Sequence, residues 1–554
     1  MDGIYKIDDR RNLFIEKLGF PEIEYNELAQ DANYHEYVIR LFKYHSPVKK
    51  LIIPVHLGNA GIKFRGLKLA LHIRLTVEIG EGRFIPIIFV SDDDFEENMF
   101  SAKNNNLNLN YLLLTEGCVL VEENETQIKK LVEITEAINP LKFKSEVLDR
   151  LKILPSEEIG KHSLANQWGA FRLDEMAHTE ALKDKELLKN KQKESYFKYI
   201  RSFNDDYSNF NKLSSSIVLT PKTINSLNKK ILLIDDEVNK GWSDVLSKIF
   251  VGADFQFIPE SKNFSQFKTH AEHKIQQEYW DLILLDLRLN PVVEDKSEFI
   301  AKGVIENYSG TQLLELIKTK NKGTQVIIFT ASNKAWNMKA LLKLGADGYF
   351  IKESPESGFS NDFSRENIDN FIKTAKECLE KRYLQDIFTQ KEIIDGLLQS
   401  RKGVSTDFDD YSLEELKTQI DISYNLLYPA NTVPEFAYAF FSLYKVLEAI
   451  GKQKVANSDI SSTSNHTWDI SNGGLILNTS NSNNSKGVFQ RITYIHKYLQ
   501  GQNDNTFFEK LYWAKEWRND VGHSLSNIDI AEMEKFKNGY LNLLEIIEKV
   551  VPIL

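Results

Sequence analysis

The sequence predicts a multidomain protein in which two α/β domains precede an all-α domain. Three observations carry that prediction. The chain has 554 residues, enough for about three to four ordinary domains. Short apolar runs alternate with helical patterns over residues 1–125 and again over 230–383, the pattern of parallel strands joined by crossover helices. From Ser412 to Leu554 the apolar residues fall almost throughout at helical spacing. The composition, 42% hydrophobic, 27% charged and 11% aromatic, is that of a globular protein. Lys+Arg 69 against Asp+Glu 79 gives a net charge of -10, which excludes a generally basic nucleic-acid coat but leaves room for a local basic groove. Cys118 and Cys378 lie far apart and supply neither a disulfide framework nor a Cys-based zinc site. Met1-Asp2-Gly3-Ile4 opens no signal peptide, and no apolar run approaches the roughly 20 residues that span a bilayer. The expected location is the cytoplasm, with no membrane partner.

In the first domain (1–125), Leu51-Ile52-Ile53-Pro54-Val55 reads as the first strand and Phe64 to Leu75 as an amphipathic helix. Phe84 to Val90 is a second strand that runs into Ser91-Asp92-Asp93-Asp94, and Tyr111–Leu114 and Val119–Val121 read as further short strands. The strand at Leu51 ends in His56-Leu57-Gly58, without an acidic pair, and Asp92 to Asp94 read as a solvated loop and helix cap, so no chemistry is assigned here. Residues 126–200 are read as helical. Within them the run Lys161-His162-Ser163-Leu164-Ala165-Asn166-Gln167-Trp168-Gly169 is unusual, fitting either an interface or a packed helix with one exposed face. Residues 201–229, rich in Asn, Asp and Ser, are expected to be a linker.

The block 230–383 carries the strongest signal, four apolar strands with polar ends. Ile231–Ile234 runs into Asp235-Asp236-Glu237, and Asp281–Leu285 into Asp286; Val326–Phe329 runs into Thr330-Ala331-Ser332, and Gly348–Ile351 into Lys352. In an open parallel sheet the carboxyl ends of the strands line one crevice, so these groups converge. Three carboxylates suit Mg²⁺, a hard cation that keeps several waters. With the acidic pair screened by metal, Asp286 can attack a phosphoryl group, while Thr330 and Lys352 can donate to the acyl phosphate.

With these elements in order, the block resembles a response-regulator receiver domain: a flavodoxin-like, doubly wound fold with a parallel five-stranded sheet. The resemblance implies Asp235 and Asp236 as the metal-binding pair, completed by Asp286 and the backbone carbonyl of Arg288. It implies Asp286 as phosphoacceptor, Thr330 as switch hydroxyl, Lys352 as phosphate-pairing lysine and Tyr349 as switch aromatic. Two departures stand out: a long loop from Asn290 to Tyr308, and Glu353 where receivers carry proline. A flavodoxin-like domain with capped strand ends and no phosphorylation is the alternative. The first domain is read as a degenerate receiver-like or flavodoxin-like sensing domain.

Residues 384–410 read as a helical connector and 411–554 as a helical bundle, with a Ser/Asn-rich insertion at 457–486 expected to be a mobile loop. The bundle helices are expected at Glu435–Lys452, Val488–Leu499, Thr506–Arg518 and Ile530–Val551. Between the last two stands Glu516-Trp517-Arg518-Asn519-Asp520-Val521-Gly522-His523. An arginine fork beside a histidine can stabilise phosphate charge and move protons. Spacing alone is weak, because Arg40 and His45, Arg65 and His72, Arg172 and His178, and Arg491 and His496 are similarly spaced. The polar Asn-Asp pair, Gly522 and the position before the last helix set the 518–523 copy apart. In these features the domain resembles the HEPN superfamily, whose nucleolytic members cleave RNA at a dimer-shared site. That resemblance implies Arg518 and His523 as the catalytic pair, Asn519 in support, a homodimer, and RNA cleavage without a cofactor. The structural alternative is a helix junction with Asp520 as a cap, Gly522 as a turn residue and His523 exposed. Arg491 and His496 are expected as solvated groups on a helix flank.

Together these readings describe a signalling protein that takes a phosphoryl group from a separate histidine kinase, since no kinase phosphate loop is present. The receiver would gate a metal-independent endoribonuclease in stress or phage (antiviral) defence, with the helix Arg382–Ser400 carrying the bias. A non-enzymatic two-component adaptor is the competing class. Transcriptional regulation would require a DNA-binding surface.

Overall fold

The structure, a computed structural model, describes residues 3–8, 12–25, 31–58, 64–91, 109–151, 153–154, 161–183, 185, 193–203, 220–294, 307–331, 335–354, 360–456, 467–471, 474–478, 487–502, 504–520 and 529–554. The chain divides into two compact units, residues 1–314 with 326–377, and residues 315–325 with 378–554. Among the described residues no helix is long and apolar enough to cross a membrane.

Among the described residues the first unit contains two five-stranded parallel sheets. In the N-terminal one, β1 (Ile4–Asp8), β2 (Glu22–Glu24), β3 (Lys50–Pro54), β4 (Ile87–Ser91) and β5 (Cys118–Glu122) lie in the order β2-β1-β3-β4-β5, and every pairing is parallel. Helices α1 (Leu13–Lys17), α2 (Asp31–Tyr44), α3 (Arg65–Leu75) and α4 (Glu125–Ile134) accompany it. Successive strand residues point to opposite faces. Leu51, Ile53, Ile87 and Phe89 therefore enter one core with residues of α2 and α3. Ile52, Ile88 and Val90 enter the other with Ile15, Ile128 and Val132. Burial on both faces is why these strands read as continuous apolar runs.

Two strands precede the run that reads as the first strand, so Leu51–Val55 belongs to the third. Strand β1 is hidden in the sequence by Lys6, whose buried ammonium donates to the Ile15 and Glu16 carbonyls at 2.8 and 2.6 Å and so caps α1. Residues Leu109–Leu114 form a 3-10 turn, not a strand. The expected solvated loop at 92–94 lies outside the described residues. Helices α5 (Lys161–Ala177) and α6 (Ser195–Phe203) follow.

The central sheet is built from β7 (Lys230–Ile234), β9 (Asp254–Phe257), β10 (Leu282–Asp286), β11 (Gln325–Thr330) and β12 (Gly348–Ile351), in the order β12-β11-β10-β7-β9. Short strands β6 (Ile224–Asn225) and β8 (Phe250–Val251) pair beside it. The stretch 220–229, expected as linker, is thus partly built into the domain, with Ile224 and Ser226 buried. Its helices are α7 (Trp242–Ile249), α8 (Phe264–Gln277), α9 (Ser309–Lys320), α10 (Ala335–Lys343) and α11 (Asn361–Glu380). Both sheets place the first strand between the second and third, the doubly wound order that opens a crevice at the carboxyl ends of the strands.

The second unit is helical: α12 (Tyr383–Arg401), α13 (Asp410–Leu427), α14 (Val433–Lys454), α15 (Val488–Tyr494), α16 (Asn505–Asp520) and α17 (Ile530–Val550). The expected connector is an integral bundle helix. Leu384, Ile387, Phe388, Ile394 and Leu398 repeat at helical spacing and are buried with Phe440, Leu443, Phe536 and Leu543. The Ser/Asn-rich insertion contains an antiparallel hairpin, β13 (Thr467–Ser471) with β14 (Gly474–Asn478), where a loop was expected. Both cysteines are buried thiols outside any disulfide, Cys118 in the first unit and Cys378 in the second.

Candidate functional site

Parallel register builds the site. Leu285 pairs with Ile234, so one residue further Asp286 stands opposite Asp235. Asp235, Asp236 and Asp286 each offer an oxygen, all within 4.8 Å of one another, a donor set that fits a hard divalent cation. Lys352, just past β12, reaches into the same crevice. Its Nζ donates to Asp286 Oδ2 at 2.5 Å, Asp235 Oδ2 at 2.6 Å and Asn166 Oδ1 at 3.1 Å, three acceptors for the three protons of an ammonium. Trp242 flanks the ammonium, with its ring centroid 5.3 Å away. Asp235 is fully buried and Asp286 only 4% exposed. Burial pushes the Asp235 carboxyl up to about 7; Lys352 opposes the rise, and Asp286 and Asp236 add to it. Burial acts to lower the Lys352 pKa, but Asp235 and Asp286 outweigh it and hold the ammonium charged.

The remaining predicted residues fall around this centre. Thr330 ends β11, is buried, and its carbonyl accepts the Lys352 N–H at 2.7 Å. Arg288 donates its N–H to Asp286 Oδ1 at 3.3 Å. Tyr349 lies on β12 with its side chain 41% exposed. Gly310, second in α9, has no room for a side chain, because a Cβ would lie 2.1 Å from the Asp286 carbonyl oxygen. The long insertion is tied off by one buried carboxylate: Glu294 accepts from Asn290 N at 3.2 Å and from Ser309 N at 2.7 Å. Glu353 pairs with Arg172 of α5 at 3.1 Å, both side chains nearly inaccessible. Neither Asn166 nor Arg172 is a site residue by sequence reasoning. The only signal is the unusual run Lys161–Gly169, of which Asn166 and Gly169 meet the central domain.

The N-terminal sheet repeats the plan without the acceptor. Lys6 pairs with Ile52, so Asp8 stands opposite Pro54, as Asp235 stands opposite Asp286. Gly66, second in α3, matches Gly310: its Cβ would lie 1.8 Å from the Pro54 carbonyl oxygen. Register and close approach thus agree that Pro54 occupies the place of Asp286. Strand β5 ends in Glu122. An acidic strand end does exist in this domain, at Asp8; it is hidden when β3 is taken for the first strand.

In the helical unit Arg518 lies near the end of α16, 3.5 Å from Glu448 and with Phe441 at 5.6 Å from its guanidinium. Asn519 is exposed, and His523 lies outside the described residues. Arg491 and His496 are buried, contrary to expectation. Arg491 donates to the Val455 and Gly451 carbonyls and so caps α14. His496 stacks on Phe507 with ring centroids 3.8 Å apart.

Residues 4–121 match the family model described as Inactive Receiver domain. The N-terminal domain is therefore receiver-type, and Pro54 at the acceptor position accords with that description. Among solved structures the chain is similar to a CheY-like response regulator receiver domain protein from Methanospirillum hungatei JF-1, at 20% identity over 28% of this chain and 97% of that one, TM-score 0.19. It is also similar to the receiver domain of the Francisella response regulator 1452, at 23% identity over 27% of this chain and 100% of that one, TM-score 0.18. A third is NtrX from Brucella abortus in complex with ADP, at 19% identity over 36% of this chain and 34% of that one, TM-score 0.21. No curated protein matches the chain.

Proposed function

We propose that the central domain is a phosphoryl acceptor in a phosphorylation-responsive signalling protein whose N-terminal receiver-type domain lacks the acceptor carboxylate. The observation that carries this reading is the convergence of Asp235, Asp236 and Asp286 within 4.8 Å, with Lys352 Nζ 2.5 Å from Asp286. A free-standing ion pair does not require two further carboxylates beside it, whereas metal-assisted transfer to a carboxylate does. Asp235, Asp236, one Asp286 oxygen and the Arg288 carbonyl would hold Mg²⁺, which when bound neutralises charge on the transferring phosphoryl group. The ionised Asp286 attacks phosphorus with an oxygen lone pair; the bond from phosphorus to the donor breaks, and the donor leaves with that electron pair. With a separate histidine kinase the leaving group is its imidazole. Lys352 turns from the carboxylates to the new phosphoryl oxygens, Thr330 donates to them, and Tyr349 follows as the switch aromatic.

The output in this reading is the helical unit. Its sharpest form is metal-independent RNA cleavage by Arg518 and His523, with Asn519 in support, across a homodimer; partner docking without catalysis is the alternative. Incubation with acetyl phosphate and Mg²⁺ tests the acceptor. A hydroxylamine-labile phosphoryl adduct is expected in the wild type and absent from Asp286→Asn, and an adduct that persists in that variant would sink the assignment. Labelled RNA cut in EDTA by wild type but by neither Arg518→Ala nor His523→Ala separates nuclease from adaptor.

A further inference from the structure

Helix α5 lies over the candidate acceptor site, and three residues fix it there. Asn166 Oδ1 accepts from Lys352 Nζ at 3.1 Å and from Trp242 Nε1 at 3.0 Å. At Gly169 the helix backbone touches the end of the sheet: a Cβ would lie 2.9 Å from the Trp242 ring and 3.0 Å from the Glu353 carbonyl oxygen. Arg172 spreads its guanidinium over four groups, Nε to Glu353 at 3.1 Å, Nη1 to Glu175 at 2.8 Å, and Nη2 to Asn361 at 2.8 Å and Ser364 at 2.9 Å. Beneath them Asp286 is 4% exposed and Lys352 3%. In-line transfer needs a donor phosphorus in contact with a carboxylate oxygen, and a carboxylate this enclosed offers no such approach.

Resting on the reading of Asp286 as acceptor, we propose that α5 is a built-in cap on the acceptor site, and that the site takes a phosphoryl group only when α5 lifts from Lys352 and Glu353. The cap answers to the N-terminal domain through α6. Ser195 and Lys198 of α6 bond the two ring nitrogens of His72 in α3 at 3.2 and 3.1 Å. Arg201 of α6 pairs with Glu78 and with Glu175, each at 2.8 Å. An unbroken alternation of charge therefore runs Glu78, Arg201, Glu175, Arg172, Glu353, ending beside Lys352. Whatever moves α6 on the inactive receiver-type domain pulls on the cap, which gives a domain without an acceptor of its own control over one that has it.

The test reads access to Asp286 in the full-length chain. A water-soluble carbodiimide with glycine ethyl ester labels exposed carboxylates, and peptide mass spectrometry measures the rate at Asp286. Two variants of opposite design release the cap: Gly169→Leu adds bulk against Trp242, and Arg172→Ala removes the latch. Melting curves by circular dichroism confirm that each is folded. Breaking a buried ion pair shifts a local opening equilibrium strongly, so labelling should rise by about tenfold or more in either variant. Equal rates in wild type and both variants, or ready labelling of the wild type, would overturn the cap. The labelling involves no phosphoryl chemistry. Faster labelling with no adduct from acetyl phosphate in any variant would keep the cap and remove the acceptor.

Discussion

Asp235 and Asp286 share one ammonium, and that arrangement governs how the site responds to protons and metal. A cation needs its carboxylates ionised, and burial holds the Asp235 carboxyl at about 7. Mg²⁺ affinity should therefore fall as pH drops below about 7, approaching about tenfold per unit; titration calorimetry at pH 8, 7 and 6 measures it, and a flat profile would contradict the assignment of Asp235 as a ligand. Removing the metal leaves the acidic residues crowded, so Asp236→Asn should raise the melting temperature of the metal-free protein by about 3 °C while abolishing the response to Mg²⁺. A second titration belongs to the N-terminal domain. Burial, then Lys198, lowers the His35 pKa from 6.5 to about 4. The folded form resists the proton that the unfolded chain accepts, so this contribution to stability is complete above pH 6.5 and is lost as pH falls toward 4. Urea unfolding at pH 7 and pH 4.5 should show that loss in wild type and a smaller one in His35→Gln. The acidic triad and Lys352 are legible in the sequence because each follows an apolar run directly. Asn166 is not, since its bond to Lys352 spans 186 residues, and no local pattern announces so distant a partner.

At the scale of elements, the two glycines that open α3 and α9 mark how closely each helix meets its sheet. Gly310→Ala would drive a methyl into the Asp286 carbonyl and should cost at least about 2 kcal/mol. Gly396, inside α12, meets nothing within 4 Å, so Gly396→Ala should instead stabilise by about 1 kcal/mol; denaturant titration of the pair gives both signs, and two losses would refute the contrast. Strands flanked by helices on both faces were legible as apolar runs. Other strands were not. Lys6 breaks the pattern of β1 by capping α1, and β13 and β14 are camouflaged by Ser and Asn on either side. The Asn472-Gly473 pair between them in the sequence is a hairpin signal that the surrounding composition overrode. Helix α12 looks like a connector because polar residues surround its buried positions, Lys391 among them, held by Asp395 at 2.8 Å and Asp421 at 2.7 Å.

For the whole molecule, the two α/β domains and the helical region follow from length and periodicity, but the kinship of the two sheets does not. Strand order, register and the paired glycines establish it, while sequence shows Pro54 where its counterpart has Asp286. The division into two compact units predicts that they need not open together. Nature has placed one enclosed thiol in each, Cys118 at 7% exposure and Cys378 at 3%, and the sequence holds no other cysteine. A thiol-reactive dye added along a urea series should label the two at different midpoints, resolved peptide by peptide. The chain thus comes with its own pair of unfolding reporters, one for each half, with no engineered probe needed.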